Sequence, residues 1–214
     1  MNKYFAIGDI HGCLDKLRHL IQVIAADPIN DTLVLLGDYV DRAYGGREVV
    51  DYILDLQKKY QKVFCLCGNH ESMLMSYLDG VSEDMYLANG GQPTLSAYGI
   101  SRSDAPMERR SKISGEHLRF FDSLLPYYET DQFIFVHAGL RPGIPLAGQD
   151  IYDLQWIRQA FIDTDYDFGK RVIFGHTHFN APLVTVNKIG IDTGAVFGGR
   201  LTCVELPTLK FYQV

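Results

Sequence analysis

The sequence predicts an α/β fold with a largely buried sheet, on three observations. Short apolar runs recur along the chain, and most of them stop at a glycine followed by a polar residue. Stretches of helical periodicity follow the first two runs. Length and content agree: 214 residues, 47% of them hydrophobic, can fill the core of one large domain or of a domain with an insertion. The alternation of strand, polar tip and helix is that of a sheet covered by helices.

Tyr4–Ile7 is the first apolar run, and it stops at Gly8-Asp9. Leu14, Leu17, Leu20, Ile21 and Ile24 then keep helical spacing and end near Pro28. A second strand is predicted over 32–36, stopping at Gly37-Asp38. Val49, Val50, Ile53, Leu54 and Leu56 form the face of a second helix, and a third strand over 63–67 stops at Gly68-Asn69. From 76 to 128 the periodicity weakens among Asn89-Gly90-Gly91, Pro93, Gly99 and Pro106, which predicts an inserted, partly helical cap within one domain spanning 1–214. The basic run Arg109, Arg110 and Lys112 in this cap reads as a solvated face, with a substrate-facing patch as the alternative. The strand pattern returns at Phe133–Val136, ending at His137, and at 172–174, ending at Gly175-His176. Three further strands, over 183–186, 201–205 and 209–212, read as hairpins closing a second sheet. Asp163, Asp165 and Asp167 lack the glycine and closing glutamate of a calcium loop and read as a solvated loop.

Charge and cysteine usage narrow the function. A net charge of -6 argues against general binding to nucleic acid or membrane surfaces. No window approaches the ~20 apolar residues of a membrane span, and the first apolar stretch is too short for a signal peptide. Cys13, Cys65, Cys67 and Cys203 show no paired spacing, so reduced thiols and a cytoplasmic location are expected.

Five strand ends carry the residues of metal chemistry: Gly8-Asp9-Ile10-His11-Gly12, Gly37-Asp38-Tyr39-Val40-Asp41-Arg42, Gly68-Asn69-His70-Glu71, His137 and Gly175-His176-Thr177-His178. The carboxyl ends of strands in α/β sheets face a common crevice, so distant residues converge there. Asp, His and Asn without thiolate suit manganese, iron or zinc. Two such ions about 3.5–4 Å apart form the clamp used for in-line displacement at phosphorus. A match to Gly-Asp-x-His-Gly alone arises by chance in roughly one chain of this length in a thousand, and the other blocks follow in order.

These blocks resemble those of the phosphoprotein phosphatases within the calcineurin-like metallophosphoesterase superfamily. Residues 8–12, 37–42 and 68–71 are similar to that family's first three blocks, and Phe135-Val-His-Ala-Gly139 and Phe174-Gly-His-Thr-His178 to its later histidine blocks. The resemblance covers most of the chain and is nearest to the small bacterial and bacteriophage serine/threonine phosphatases, which also carry Asn-Gly-Gly (89–91) and Ile-Asp-Thr-Gly-Ala (191–195). It implies a two-sheet β-sandwich flanked by helices. It implies two divalent ions, manganese foremost and iron or zinc as alternatives. Asp9 and His11 would hold the first ion, Asp38 would bridge, and Asn69, His137 and His176 would hold the second. His178 is a further candidate on the first ion, or else a neighbouring surface histidine. His70 would be the general acid, charged and oriented by Asp41, while Arg42 and Arg158 would hold the phosphate. The implied reaction is attack on phosphorus by a metal-bridging hydroxide.

Physical chemistry agrees with these roles. A carboxylate partner restores the imidazolium that a nearby cation would depress, and arginine's fork suits a tetrahedral phosphate. Two features depart from the family pattern. Asp41-Arg42 is followed by Ala43-Tyr44 instead of Gly-Pro, which alters the loop beside the phosphate site. Glu71 stands where dinucleotide polyphosphate hydrolases more often carry Asp, and those enzymes usually lack the Asp-Arg pair. The expected activity is therefore phosphoserine or phosphothreonine hydrolysis. The alternatives are hydrolysis of dinucleoside polyphosphates or other small phosphoesters, and a metal-bound scaffold without turnover. The expected partner is a phosphoprotein or small phosphoester.

Overall fold

A computed structural model describes residues 3–214. The first half alternates as expected: β1 (Tyr4–Ile7), α1 (Leu14–Ile24), β2 (Thr32–Leu35), α2 (Gly46–Lys59), β3 (Val63–Cys65) and α3 (Asn69–Leu78). Four short helices follow, α4 (Glu83–Ala88), α5 (Gln92–Ala97), α6 (Pro106–Ser111) and α7 (Gly115–Asp122). The second half holds β4 (Tyr127–Glu129), β5 (Phe133–Val136), α8 (Ile151–Trp156), α9 (Gln159–Ile162), β6 (Arg171–Phe174), β7 (Leu183–Val184), β8 (Lys188–Gly190), β9 (Thr202–Leu206) and β10 (Lys210–Gln213). No helix among the described residues is long and apolar enough to cross a membrane.

Two mixed five-stranded sheets result, ordered β10-β9-β1-β2-β3 and β4-β5-β6-β8-β7. Strand period two sorts the side chains. Ala6, Val34, Leu36 and Leu66 of one sheet meet Phe133, Phe135, Ile173 and Ile189 of the other, forming the sandwich core. Phe5, Ile7, Leu33 and Leu35 point the opposite way, under the apolar stripes Leu17, Leu20, Ile21 and Ile24 of α1 and Val49, Val50, Ile53 and Leu56 of α2. On the far side, Ile134, Val136, Val172 and Phe174 pack beneath Leu154 and Phe161 of α8 and α9. Three apolar layers thus enclose two sheets flanked by helices, as the resemblance implied.

The register places the strand ends. β1, β2 and β3 run parallel with Ile7 opposite Leu35 and Leu35 opposite Cys65, so Gly8, Gly37 and Gly68 leave the sheet together. β5 and β6 run parallel with Phe135 opposite Ile173, bringing His137 and Gly175 to the other sheet's edge.

The late strands correct the sequence reading. β7 and β8 close the second sheet. The hairpin of β9 and β10 instead joins the first, where β9 pairs antiparallel with β1. Apolar alternation predicts a strand but carries no information on which sheet receives it. β4 and β8, of 3 residues each, escaped the sequence reading.

Candidate functional site

The turns leaving the strands are tight, and several polar residues sit in the left-handed region: His11 at φ 46°, Asp38 at 53°, Asp41 at 69°, Arg42 at 68° and His176 at 61°. Such conformations cost on the order of 1–3 kcal/mol each and persist only where surrounding contacts impose them. Here the contacts are backbone hydrogen bonds, such as His11 N–H to Asp38 O at 2.8 Å, and the buried Glu71. Its carboxylate accepts from the N–H groups of Asp38 (2.9 Å), Tyr39 (2.8 Å), Val40 (3.3 Å) and Gly68 (3.1 Å). Burial, together with the charge of Asp38, pushes the Glu71 carboxyl up to about 8. Two glycines are required for close approach: a Cβ at Gly68 would collide with the Asp38 carboxylate, and one at Gly175 with that of Asp9.

Asp9, His11, Asp38, Asn69, His70, His137 and His176 are all buried; the four histidines cluster about Asp38, with Asp9 bonded to the His176 N–H and Asn69 against His137. One metal-sized group joins His11, Asp38 and His70, and a second joins Asp38, His137 and His176, with donor atoms within 4.8 Å of one another. Asp38 belongs to both groups. His11 Nδ1 donates to Val40 O at 2.8 Å and His137 Nδ1 to Leu36 O at 2.8 Å, which leaves each Nε2 as a lone-pair donor facing the cluster. Nε2 of His11 and of His176 are buried and find no hydrogen-bond partner. His137 Nε2 faces Asn69 Oδ1 at 3.1 Å, two acceptors aimed at one another. Orphaned lone pairs and opposed acceptors are resolved by cations between them, so the donor set fits divalent ions. Asp9 accepts from His176 N–H at 3.1 Å through both oxygens. Burial and the charges of Asp192 and Asp38 hold its carboxyl well above the usual range, a crowding of anions that cations relieve. Burial raises Asp38 as well, but His137, His70 and His11 outweigh it and keep Asp38 well below the ordinary carboxylate value. Burial, reinforced by His137, drives His176 down to about 2, so it is a neutral donor.

His70 has both ring nitrogens against charged side chains, a carboxylate and a guanidinium. Nδ1 lies 2.8 Å from Asp41 Oδ2, and Nε2 lies 3.0 Å from Arg42 Nη2. Burial lowers its pKa, but the charge of Asp38 and the Asp41 hydrogen bond win and raise it above the ordinary histidine value. Asp41 is itself held from the cap. Tyr86 Oη donates to Asp41 Oδ1 at 2.7 Å, Thr94 Oγ1 donates to the same oxygen at 2.6 Å, and Asp41 N–H donates to Thr94 Oγ1 at 2.8 Å. Arg42 N–H donates to Gly90 O at 2.9 Å, which ties the Asn-Gly-Gly segment to the arginine's backbone.

The other expected residues lie at the rim. Arg158 is exposed, and its Nη1 donates to His176 O at 3.2 Å. His178 is exposed, stands outside both metal-sized groups, and sets its Nε2 against Gly194. The basic run of the cap is accounted for internally. Arg109 is buried, donates to Tyr77 O, Asp104 O and Arg102 O, and pairs with Glu83, while Arg110 pairs with Asp79 and Lys112 with Asp104. Sequence reasoning missed Tyr86 and Thr94, whose only signal was nearness to Asn89-Gly90-Gly91. It quoted Glu71 without finding what it holds.

A model of the calcineurin-like phosphoesterase family matches residues 3–180. The chain belongs to that family. It is a metallophosphoesterase, and members of this family use a binuclear divalent metal centre. Among curated relatives, the chain is 24% identical over 237 aligned positions to a bis(5'-nucleosyl)-tetraphosphatase (asymmetrical) of Bacillus thuringiensis, covering 99% of this chain and 94% of the relative. A crystal structure described as a candidate diadenosine tetraphosphatase matches with a TM-score of 0.75 at 22% identity, covering 99% of this chain and 92% of that one. A serine/threonine phosphatase from Saccharomyces cerevisiae matches with a TM-score of 0.65 at 16% identity, covering 95% of this chain and 72% of that one. Both structures share the fold of this calcineurin-like phosphoesterase.

Proposed function

We propose that the chain is a cytoplasmic, metal-dependent hydrolase of dinucleoside polyphosphates. The likeness to bis(5'-nucleosyl)-tetraphosphatases over nearly the full length of both chains carries this reading. Protein dephosphorylation becomes the second reading, because Arg42 beside the metal-ligand cluster suits the phosphates of anhydrides as well as those of esters. The four free cysteines fit a reducing compartment.

Asp9 and His11 are proposed to hold one ion, Asp38 both, and Asn69, His137 and His176 the other. His178 is left out of the set, being exposed and turned to Gly194. When bound, the ion pair, with manganese expected, neutralises the phosphoryl oxygens and activates the attacking water. The remaining steps fall to side chains. Arg42 leaves His70 Nε2 for the phosphate oxygens, since a guanidinium donor and an imidazolium N–H cannot share that atom. His70, kept protonated by Asp41, then offers its Nε2–H to the leaving oxygen. Arg158 approaches the phosphate chain from beside His176.

One observation favours a second reading, phosphoserine or phosphothreonine hydrolysis. The Asp41–His70 pair is an acid suited to the alkoxide leaving group of an ester, whereas a phosphate leaving from an anhydride needs little protonation. Manganese-loaded protein, assayed with diadenosine tetraphosphate and with a phosphothreonine peptide, decides between the two. The expected outcome is metal-dependent cleavage of diadenosine tetraphosphate, giving AMP and ATP, at a kcat/KM at least tenfold above that for the peptide. The opposite ranking refutes the proposal in favour of the second reading.

A further inference from the structure

One exposed aromatic ring stands beside the phosphate arginine on a turn built to present it. Phe197 is 63% exposed. It ends the 3-10 turn Ala195–Phe197, which is bracketed by Gly194 at φ 71° and Gly198 at φ 86°. The turn is not loose. Lys16 of α1 donates to Ala195 O at 2.9 Å and also to Gly199 O, Gly194 N–H donates to Asp192 Oδ1 at 2.9 Å, and Gly199 N–H donates to Gly194 O at 2.9 Å. A phenylalanine held in water by that many hydrogen bonds contributes little to the core.

Its neighbours belong to the site. The Arg42 guanidinium carbon lies over the ring, 5.1 Å from its centroid, and the same guanidinium reaches His70 Nε2 at 3.0 Å. His178 stands beside it, with ring centroids 6.0 Å apart and planes tilted 50°. The ring therefore carries a cation over one face and keeps 63% of the residue's surface exposed to solvent. A nucleotide phosphate bound by Arg42 is one ribose away from its base. Aromatic faces stack on any base, with a worth independent of base identity.

We propose that Phe197 is the stacking platform for a nucleobase of the substrate. The inference rests on the dinucleoside polyphosphate reading and deepens it: the substrate is recognised through a base as well as its phosphates. Wild type, Phe197→Ala and Phe197→Trp are compared on diadenosine tetraphosphate and on inorganic tripolyphosphate, which keeps the anhydride and lacks the nucleosides. Tripolyphosphate is read as a substrate or as a competitive inhibitor. In Phe197→Ala, KM for diadenosine tetraphosphate is expected to rise about tenfold, the order of one base–aromatic stack. Its kcat and the constant for tripolyphosphate should stay within twofold, and Phe197→Trp should restore KM. Equal losses on both compounds would assign Phe197 to positioning Arg42 and overturn the platform, as would an unchanged KM. Wild type that cleaves a phosphothreonine peptide and leaves diadenosine tetraphosphate intact removes the underlying reading and the platform with it.

Discussion

At the scale of residues, the two halves of the chemistry make separable predictions. Asp38 is shared by both metal-sized groups, so Asp38→Ala should lose bound manganese and turnover together, as measured by elemental analysis and phosphate release. Retained turnover in that variant would contradict the bridging assignment. His70 has both nitrogens engaged by protein groups, so His70→Asn should keep its metal content and lose roughly 10²–10⁴ in kcat on a phosphate ester with a poor leaving group. The loss on diadenosine tetraphosphate should be smaller. A variant that shed its metals would make His70 a ligand. Asp38 and His70 were legible because each stands within two residues of a glycine at a strand end, a pattern local in sequence. Tyr86 and Thr94 were not, because they meet Asp41 only through tertiary packing across separations of 45 and 53 residues. His178 matched a motif, but a motif fixes a residue's place in sequence and not the direction of its ring.

At the scale of elements, α4 and α5 hold Asp41, the partner of the proposed acid His70, from outside the sheets. Thr94→Val removes a donor to the Asp41 carboxylate and the acceptor of the Asp41 N–H. Stranding buried polar groups costs about 1–3 kcal/mol. The expected result is a kcat reduced roughly tenfold or more, at unchanged manganese stoichiometry. A drop in metal content instead would mean that the cap supports the ligands directly. The β9–β10 hairpin offers a pH test. Glu205 is 4% exposed, yet hydrogen bonds from Lys3, Tyr212 and Thr208 outweigh burial and hold its carboxyl below the ordinary 4.5. A depressed carboxylate stabilises the fold fully above its unfolded value and loses that contribution as pH falls through the folded one. The stability advantage of wild type over Glu205→Gln, measured by urea unfolding, should thus be full at neutral pH and fade below about 4.5. An advantage that grows on acidification would reverse the assignment. This hairpin also marks where sequence reading stopped. Its alternation predicted strands, but its pairing with β1 spans nearly the whole chain, and no local pattern encodes so distant a partner.

At the scale of the molecule, the fold carries a standing cost at its centre. Asp9, Asp38, Glu71 and Asp192 are buried at one end of the sandwich, with His11 Nε2 and His176 Nε2 unpartnered. Divalent ions that bind the folded state and not the unfolded one would relieve that crowding. At manganese about 100 times its dissociation constant, stabilisation should approach 2.7 kcal/mol, which raises Tm by several degrees for a domain of this size. Chelation should reverse the shift in calorimetry. A Tm indifferent to manganese would leave the orphaned atoms unexplained. A largely buried sheet was legible from the recurrence of strand, tip and helix, because burial of both faces leaves a near-continuous apolar record, whereas the layering of two sheets came from the family resemblance.

The dependence of Asp41 on Tyr86 and Thr94 has a consequence for descent. In the proposed mechanism, metal capture resides in the strand ends, while the proton donor is held through Asp41 by α4 and α5. The two can therefore be inherited and lost independently. A lineage that remodels this cap without the tyrosine and threonine would keep a loaded metal centre and shed its acid, drifting from esters with reluctant leaving groups toward anhydrides that depart unaided. Substrate range in such proteins would then be set by the segment that carries α4 and α5, while the ligand blocks stay the same.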